Sequence, residues 1–242
     1  MISVIIPTYN EEKNIEKCLK SFYEQTLPKE SFEIIVVDGN SNDHTIEIAQ
    51  KYADKVAIQL SEGVGGARND GAKIAKGEII ASTDADCVPH REWLEKIQAR
   101  FEEKNVVAVT GFLKPSDFDG MNKYEVKIYK ILFGISNVFL FLLSKMGYYH
   151  LCGANSAFRR DAFLEINGYL SIAYSDDVEI FKRIKKNGKI ILDRNMKINY
   201  SIRRIKKIGL IDYISLITKN DFITMVLGLK PNKGNYIKQE YN

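Results

Sequence analysis

Residues 3–43 read SVIIPTYNEEKNIEKCLKSFYEQTLPKESFEIIVVDGNSND, and this stretch decides the fold class. It contains two short runs rich in isoleucine and valine, Ser3–Ile6 and Glu33–Val37, and a polar loop follows each run. Between the runs, apolar residues recur at the spacing of one helix face, namely Ile15, Cys18, Leu19 and Phe22. A strand, a helix and a second strand in this order predict two parallel strands joined by a crossover helix.

The same alternation continues along the first half of the chain. Three further runs have the composition of strands, namely Val56–Gln59, Glu78–Ser82 and Val106–Val109. We therefore predict an α/β fold with a single Rossmann-like, mostly parallel sheet flanked by helices, and Asn10 as the N-cap of the first helix. Such sheets bind ligands at the C-terminal ends of their strands, so the loops after Ile6, Val37 and Ser82 are the expected functional region.

The composition is that of a globular protein, and we expect it in the cytoplasm. Of the 242 residues, 45% are hydrophobic and 27% are charged, which excludes a disordered or collagen-like chain. The three cysteines are far apart and form no CxxC pair, so we expect neither a disulfide framework nor a zinc site. The first residues, MISVIIPTYN, lack the features of a secretory signal.

Charge is distributed unevenly between the two halves. Residues 1–121 carry 14 Lys and Arg against 21 Asp and Glu, whereas residues 122–242 carry 21 against 10. A basic half suggests an anionic partner, which is a phosphate-bearing ligand, a nucleic acid or an anionic membrane surface. The chain has no recognisable nucleic-acid-binding motif, so we expect no nucleic-acid partner.

Two apolar stretches in the second half allow two interpretations. Residues 131–143, ILFGISNVFLFLL, are apolar at ten of thirteen positions, and residues 208–229 follow the basic run RRIKK. Each stretch is either a helix packed on the domain or a helix at a membrane surface with lysines near the head groups. Thirteen residues are too short to cross a bilayer, so we expect at most peripheral contact.

Acidic and polar residues are concentrated in three of the expected loops, PTYNE at 7–11, DGNSND at 38–43 and TDADC at 83–87. Two aspartates spaced by one residue, such as Asp84 and Asp86, can face one ligand and hold a hard divalent cation. Each aspartate alone would serve equally well as a cap of the following helix or turn. Three such loops at one sheet edge favour a ligand site.

A glycine-rich segment precedes the third of these loops. In EGVGGARNDG, residues 62–71, Gly63, Gly65 and Gly66 permit a close approach of the backbone to a ligand, and Arg68 follows them. The segment resembles a phosphate-contacting turn, with backbone N–H groups and an arginine near a diphosphate. Neither the Rossmann nor the P-loop spacing of glycines is present.

Taken in order, these segments resemble the inverting family 2 glycosyltransferases, which have the GT-A fold. The resemblance extends over about residues 2–205 and includes GANSAFRRDAF, which begins at Gly153, and SDDVEIFKRIKKNGK, which begins at Ser175. It implies one glycosyltransferase domain over residues 1–205, followed by a basic, apolar and helical extension over residues 206–242. Within the domain, residues 1–112 would bind the nucleotide and residues 113–205 the acceptor.

The resemblance implies a role for each matching residue. The nucleotide would be held by Pro7, Thr8, Tyr9, Glu11, Asp38, Asn40, Arg68 and Asp84. Asp86, the second aspartate of the DXD motif, would bind Mg²⁺ or Mn²⁺. The sugar and acceptor would be bordered by Gly153, Asn155 and Asp176, and Asp177 would be the general base. Asp176 replaces the glutamate that is more common at that position in the family.

The implied reaction moves a sugar from a UDP- or GDP-linked donor to an acceptor, with inversion at the anomeric carbon. The metal and Arg68 would stabilise the diphosphate leaving group, and Asp177 would accept the proton of the attacking hydroxyl. The acceptor would be a glycan or, if the apolar stretches contact a membrane, a lipid-linked molecule such as a polyprenyl phosphate. Two other functions stay open, namely nucleotidyl transfer on a related scaffold and an inactive nucleotide-sugar-binding domain.

Overall fold

The first two strands pair in parallel along their whole length, with Ile2 opposite Phe32 and Thr8 opposite Asp38. In the computed structural model, which describes residues 1–172, 175–215 and 219, these strands belong to a sheet of eight. The strands are β1 (Ile2–Thr8), β2 (Phe32–Asp38), β3 (Lys55–Ile58), β4 (Ile79–Ser82), β5 (Val88–Pro89), β6 (Val106–Ser116), β7 (Ser156–Arg159) and β8 (Lys189–Ser201).

The sheet order is β3-β2-β1-β4-β7-β6-β8-β5, and β5 and β7 run against the other six strands. The α-helices are α1 (Ile15–Lys20), α2 (Thr45–Ala49), α3 (Gly63–Ile74), α4 (Trp93–Phe101), α5 (Lys123–Lys145), α6 (Arg160–Glu165), α7 (Asp176–Ile184) and α8 (Arg203–Ile208). The predicted α/β fold with a mostly parallel sheet is therefore confirmed.

Helices cover both faces of the sheet. Along β1, Val4 and Ile6 pack into one apolar cluster with α1 and α4, whereas Ile5 packs into a second cluster with α3, α6 and α7. All three side chains are essentially inaccessible to solvent. Because successive residues point to opposite faces and both faces are buried, the strand is a continuous apolar run rather than an alternating one.

The first helix begins later than we predicted. Asn10 is not its N-cap, because α1 begins at Ile15 after a turn in which the Asn14 N–H donates to the carbonyl of Glu11 at 2.9 Å. Asn10 instead has φ of 52°, in the left-handed region that asparagine tolerates, and its side chain accepts the N–H of Asn42 at 3.0 Å. This contact brings the loop after β1 to the loop after β2.

Two long paired strands carry the second half of the chain to the same sheet edge. β6 and β8 run in parallel, with Ser116 opposite Ser201 at their C-terminal ends. β5 lies antiparallel beside the end of β8, with Val88 opposite Asn199. The residues immediately before β5 include Asp84 and Asp86, and we call residues 84–86 the DXD segment after their spacing. This segment therefore lies next to the residues that follow β8.

α5 is longer than the apolar stretch from which we predicted it, because it runs over 23 residues. One side of the helix packs on the domain, where Tyr129 is buried with Ile202 and Ile205. On the same side, the Asn137 amide donates to the carbonyl of Leu113 at 2.9 Å. This side of α5 therefore contacts the domain, but no residue of 131–143 is fully buried, and both interpretations of that stretch stay predictions.

The other side of α5 carries a stripe of apolar side chains that are at least half exposed, at spacings of three and four residues. We call this the α5 stripe; its members are Tyr124, Ile128, Ile131, Ile135, Val138, Phe139 and Leu142. Within the described residues, α5 is long and apolar enough to cross a membrane, with a mean hydropathy of 1.8 over its most apolar 18 residues. The expectation that this segment is too short to span a bilayer is therefore wrong as regards length.

The second apolar stretch, residues 208–229, and the predicted extension over residues 206–242 lie largely outside the described residues. The predicted division of the domain at residue 112 stays a prediction.

Candidate active site

The loops after β1 and β2 are held together by a buried carboxylate. Asp38, at the end of β2, accepts the backbone N–H of Ser41 at 2.7 Å and its hydroxyl at 2.6 Å. The Ser41 hydroxyl oxygen in turn accepts the N–H of Asn10 at 2.8 Å. Asp38 is inaccessible to solvent and its contacts fix this loop pair, and its predicted contact with the nucleotide stays a prediction.

The other predicted nucleotide residues of these loops differ in exposure. Pro7 and Thr8 are buried in β1, whereas Tyr9 is half-buried and Asn40 is exposed, with φ of 69°. Of these four residues, Tyr9 and Asn40 present surface to a ligand.

Arg68 lies at the centre of the site. It extends from α3 and is 5% exposed, with Nε donating to the hydroxyl of Ser82 at 2.9 Å and Nη2 donating to Asp84 Oδ1 at 2.7 Å. Its Nη1 lies 3.9 Å from Asp176 Oδ2. Burial opposes the charge, but the surrounding acidic groups, Asp84 first among them, outweigh burial and raise the pKa of Arg68, which stays protonated. One guanidinium therefore joins the DXD segment to the acidic start of α7.

The Arg68 side chain is held in place by close packing. A Cβ added at Gly153 would lie 2.4 Å from Arg68 Cζ, so the backbone at this position covers the guanidinium directly. The ring of Tyr169 lies 5.5 Å from the same Cζ atom. A side chain at position 153 would therefore require the guanidinium of Arg68 to move. The predicted role of Gly153 beside the sugar or acceptor stays a prediction.

The glycines that precede Arg68 serve packing inside the protein. A Cβ at Gly65 would lie 2.8 Å from the Cβ of Tyr169, and a Cβ at Gly66 would lie 2.8 Å from the backbone of Ser61. Both glycines and Arg68 belong to α3 rather than to a loop. This packing accounts for the two glycines, and the predicted contact of the segment with a phosphate stays a prediction.

Asp177 has the surroundings of a proton acceptor. Its Oδ1 accepts the N–H of Gly153 at 2.9 Å, and its Oδ2 lies 3.7 Å from Nε2 of His150. Burial, reinforced by the neighbouring charge of Asp176, raises the pKa of Asp177 to about 7, against the opposing effects of His150 and Arg68. A carboxyl with a pKa near the working pH is suited to general base catalysis.

The carboxylates of Glu11 and Asp86 both contact the guanidinium of Arg203. Arg203, the first residue of α8, donates from Nε to Asp86 Oδ2 at 2.9 Å and from Nη2 to Glu11 Oε1. The second carboxylate oxygen of Glu11 accepts from the side chain of Asn14 at 2.9 Å. Burial raises the pKa of Asp86 to about 6, although Arg203 acts in the opposite direction.

The DXD segment also fits a divalent cation. Asp84, Asp86 and Cys87 each offer one ligand atom, and these atoms lie within 4.8 Å of one another. Two carboxylates are the ligands that Mg²⁺ and Mn²⁺ prefer. Burial raises the pKa of the Cys87 thiol well above its ordinary value. The donor set therefore fits a hard ion held by the two aspartates.

Asn155 is a structural residue in this arrangement. It is fully buried, and its side-chain oxygen accepts the indole N–H of Trp93 at 2.8 Å. Its amide nitrogen donates to the carbonyls of Phe112 at 3.0 Å and Met196 at 3.1 Å. The amide is thus engaged with three other segments of the protein, and the predicted contact with the sugar is not supported by this placement.

Comparison with known proteins identifies the family of the chain. The family model of glycosyl transferase family 2 matches residues 3–166, which is more than half of the chain. The chain belongs to glycosyl transferase family 2. The glycosyltransferase AglE of Haloferax volcanii is 38% identical to this family 2 chain over 133 residues, which are 51% of the chain and 44% of the relative.

Two solved structures share the fold. The mannosyltransferase PcManGT from Pyrobaculum calidifontis, in complex with GDP-Man and Mn²⁺, aligns with a TM-score of 0.66 and 24% identity over 96% of this family 2 chain and 66% of that chain. TarS 1–349 of Staphylococcus aureus, in complex with UDP-GlcNAc, aligns with a TM-score of 0.65 and 24% identity over 83% of this chain and 58% of that one.

TarS is also similar in sequence. The poly(ribitol-phosphate) beta-N-acetylglucosaminyltransferase TarS is 39% identical over 107 residues, which are 42% of this family 2 chain and 19% of the relative. The chain thus spans less than half the length of the two curated relatives named here.

The structure of this family 2 chain brings most of the predicted site residues to one edge but adds two that we did not predict. Arg68, Asp84 and Asp176 form one connected group, and Asp86 lies beside it. The unpredicted residues are Arg203 and His150. Arg203 follows the C-terminal end of a strand, as the predicted loops do, but that strand, β8, is not among the strands that we predicted. His150 carried no sequence signal beyond its position near GANSAF.

Proposed function

We propose that this family 2 protein is an inverting glycosyltransferase that moves a sugar from a UDP- or GDP-linked donor to an acceptor. The observation that carries the proposal is the position of Arg68, whose guanidinium contacts both Asp84 of the DXD segment and Asp176 beside the base. Donor-binding and proton-accepting groups are thereby held at one edge of the sheet. The complexes of PcManGT with GDP-Man and of TarS with UDP-GlcNAc support the choice of donor.

The donor half of the proposed site lies at the ends of β1, β2 and β4. Tyr9 and Asn40 offer surface to the base and ribose, and Asp84 and Asp86 would hold Mg²⁺ or Mn²⁺ against the diphosphate. When bound, the metal supplies positive charge that stabilises the leaving diphosphate. Arg68 contributes a fixed positive charge at the same place, and a charge that is already oriented needs no rearrangement during the reaction.

Asp177 acts as the base in this proposal. It accepts the proton of the acceptor hydroxyl while that oxygen forms a bond to the anomeric carbon. The bond between the anomeric carbon and the diphosphate oxygen breaks in the same step, and the nucleoside diphosphate leaves. Attack on the face opposite the leaving group inverts the configuration.

The products distinguish this reaction from nucleotidyl transfer. We would incubate the protein and Mn²⁺ with UDP- and GDP-sugars and an acceptor panel, and analyse the products by NMR. The proposal predicts a nucleoside diphosphate and a glycoside of inverted anomeric configuration. Retention of configuration, or release of a sugar 1-phosphate or pyrophosphate, would contradict it.

We further propose that the α5 stripe contacts the cytoplasmic face of an anionic membrane. The stripe lies opposite the side of α5 that packs on Tyr129 and Asn137, so the helix can rest on a surface without leaving the domain. At 100° per residue, the exposed lysines of α5 all fall on one flank of the stripe, and they are Lys123, Lys127, Lys130 and Lys145. Such a flank suits anionic head groups beside a buried apolar face.

A membrane contact of this kind favours a lipid-linked acceptor, and a role in cell-envelope glycoconjugate synthesis would follow. α5 packs against Ile202 and Ile205, which lie on either side of Arg203, and Arg203 reaches Asp86. The proposed membrane contact is therefore adjacent to the DXD segment, where an acceptor carried by a lipid would need to arrive.

A further inference from the structure

Arg203 connects the C-terminal part of the domain to two of the first loops. Its partners Glu11 and Asp86 lie 192 and 117 positions earlier in the chain. The contact depends on the long strand β8, which ends at Ser201, two residues before Arg203. The arginine therefore reaches the DXD segment because β5 and β8 pair at this edge.

The backbone around Arg203 is anchored, whereas its side chain reaches solvent. Ile202 and Ile205 are almost completely buried beneath α5. The side chain of Arg203 is 21% exposed, compared with 6% for that of Arg68. The side chain of Arg203 thus has access to solvent from a fixed backbone, while Arg68 is enclosed by Gly153 and Tyr169.

A divalent cation and Arg203 require the same carboxylate. Both aspartates of the DXD segment already contact a guanidinium, Asp84 that of Arg68 and Asp86 that of Arg203. A metal ion at Asp86 beside an unmoved Arg203 would bring like charges together in a partly buried site, which is unfavourable. Arg203 is the more exposed of the two arginines, so it is the one that would be displaced.

We propose that Arg203 is a positioning residue that holds Asp86 and Glu11 in the absence of ligand and moves to the diphosphate when metal and nucleotide bind. The displaced guanidinium needs a new anion, and a nucleoside diphosphate brings one to the same place. Metal and nucleotide binding are thereby coupled, because the metal alone must break the Arg203 contacts and the nucleotide offers replacements. The nucleotide part of this inference rests on the proposed function, whereas the competition at Asp86 does not.

The proposal predicts that substitution of Arg203 changes the affinities for Mn²⁺ and for nucleotide in opposite directions. Arg203→Met would be compared with the unsubstituted chain by Mn²⁺ binding, followed by electron paramagnetic resonance, without nucleotide and then with UDP or GDP. We expect Mn²⁺ alone to bind about tenfold more tightly to Arg203→Met, and the nucleotide with Mn²⁺ about tenfold more weakly. General damage to the site would weaken both.

Lys206→Met is the matched control, because it removes one positive charge from the same helix. Lys206 contacts the carbonyls of Asp117 and Asp119 rather than a carboxylate of the site. Both affinities should stay within about twofold of those of the unsubstituted chain. Arg203→Lys keeps the charge but loses the forked contact, and it should give an intermediate Mn²⁺ affinity if Arg203→Met does not fold.

The measurements distinguish failure of the exchange at Asp86 from failure of the proposed donor. Unchanged or weaker Mn²⁺ binding by a folded Arg203→Met or Arg203→Lys would overturn the exchange. If Mn²⁺ binding improves as expected but neither nucleotide binds even the unsubstituted chain, the donor assignment fails while the competition at Asp86 is supported.

Discussion

The carboxylate of Asp177 accepts the backbone N–H of Gly153 at 2.9 Å. Gly153 in turn covers the guanidinium of Arg68, and a side chain there would have to displace it. One short backbone segment thus positions the proposed base and encloses the arginine that contacts the DXD aspartate. A rigid arrangement of this kind keeps reacting groups aligned, which is a large part of what an enzyme contributes to rate.

Asp177→Asn should remove transfer to a hydroxyl acceptor while preserving donor binding. Asparagine keeps the size and can still accept the Gly153 N–H, but it cannot take up a proton. We expect a loss of at least about 100-fold in kcat, with donor affinity within about threefold, measured by initial rates and by calorimetry. A loss below about tenfold would contradict the role as base for a hydroxyl acceptor, and it would point to an ionised phosphate as acceptor.

The rate should fall on the acid side of neutrality. Asp177 must be deprotonated to act, and burial together with Asp176 raises its pKa to about 7, so kcat/KM should increase with pH through this range. His150 lowers this pKa, and His150→Gln should therefore move the acid limb to higher pH. An acid limb of the kcat/KM profile at the pKa of an ordinary aspartate would count against Asp177 as the base. An acid limb that His150→Gln does not move would also count against it.

Asn155→Ala should destabilise the fold rather than alter substrate affinity. The substitution leaves the indole N–H of Trp93 and the carbonyls of Phe112 and Met196 without their partner. We expect the free energy of unfolding to fall by about 2–4 kcal/mol in urea denaturation.

The neighbouring Ser156 provides the control for this experiment. It is equally buried, and its hydroxyl has no hydrogen-bond partner within the described residues. Ser156→Ala should change the free energy of unfolding by no more than about 0.5 kcal/mol. Unchanged stability together with a weakened donor or acceptor KM in Asn155→Ala would restore the predicted contact with the sugar.

Polar substitutions in the α5 stripe should weaken membrane binding. We expect the intact chain to float with vesicles that contain phosphatidylglycerol, and Ile135→Gln with Leu142→Gln to reduce the bound fraction about tenfold, because two apolar side chains no longer enter the interface. The pair Ile58→Gln with Leu60→Gln removes similarly exposed apolar surface elsewhere and should have no effect. Equal flotation of the two double variants would contradict the membrane contact. A dimer of the intact chain that only the α5 variant disrupts would also contradict it, because the α5 stripe would then be covered by a second copy.

The strand and helix order was predictable because β1, β2 and β4 are short, uninterrupted apolar runs. The full length of β8 was not, since Asp193, Arg194 and Asn195 interrupt its apolar pattern where the pairing with β6 shifts register. The same limit applies to α5, whose first two turns alternate lysine with apolar residues and lack a continuous apolar run. Amphipathic segments of this kind depend on tertiary packing, which a local pattern does not contain.

The acidic residues of the site were predictable because they follow strands that end at one edge. The role of Arg203 was not, because the run RRIKK also fits a basic patch before an apolar helix. Its contact with Asp86 arises from the pairing of β5 with β8 between distant parts of the chain. Similarly, the buried contacts of Asn155 and the packing of Gly65 become evident only in three dimensions.

The most direct test of the proposed function is calorimetric binding of UDP and GDP, with and without Mn²⁺, to the intact chain and to Asp86→Asn. We predict that one nucleotide binds, that Mn²⁺ strengthens its binding at least about tenfold, and that Asp86→Asn abolishes this metal effect. Binding of neither nucleotide to the intact chain, or an equal metal effect in Asp86→Asn, would contradict a metal-assisted nucleotide-sugar site at this edge of the sheet.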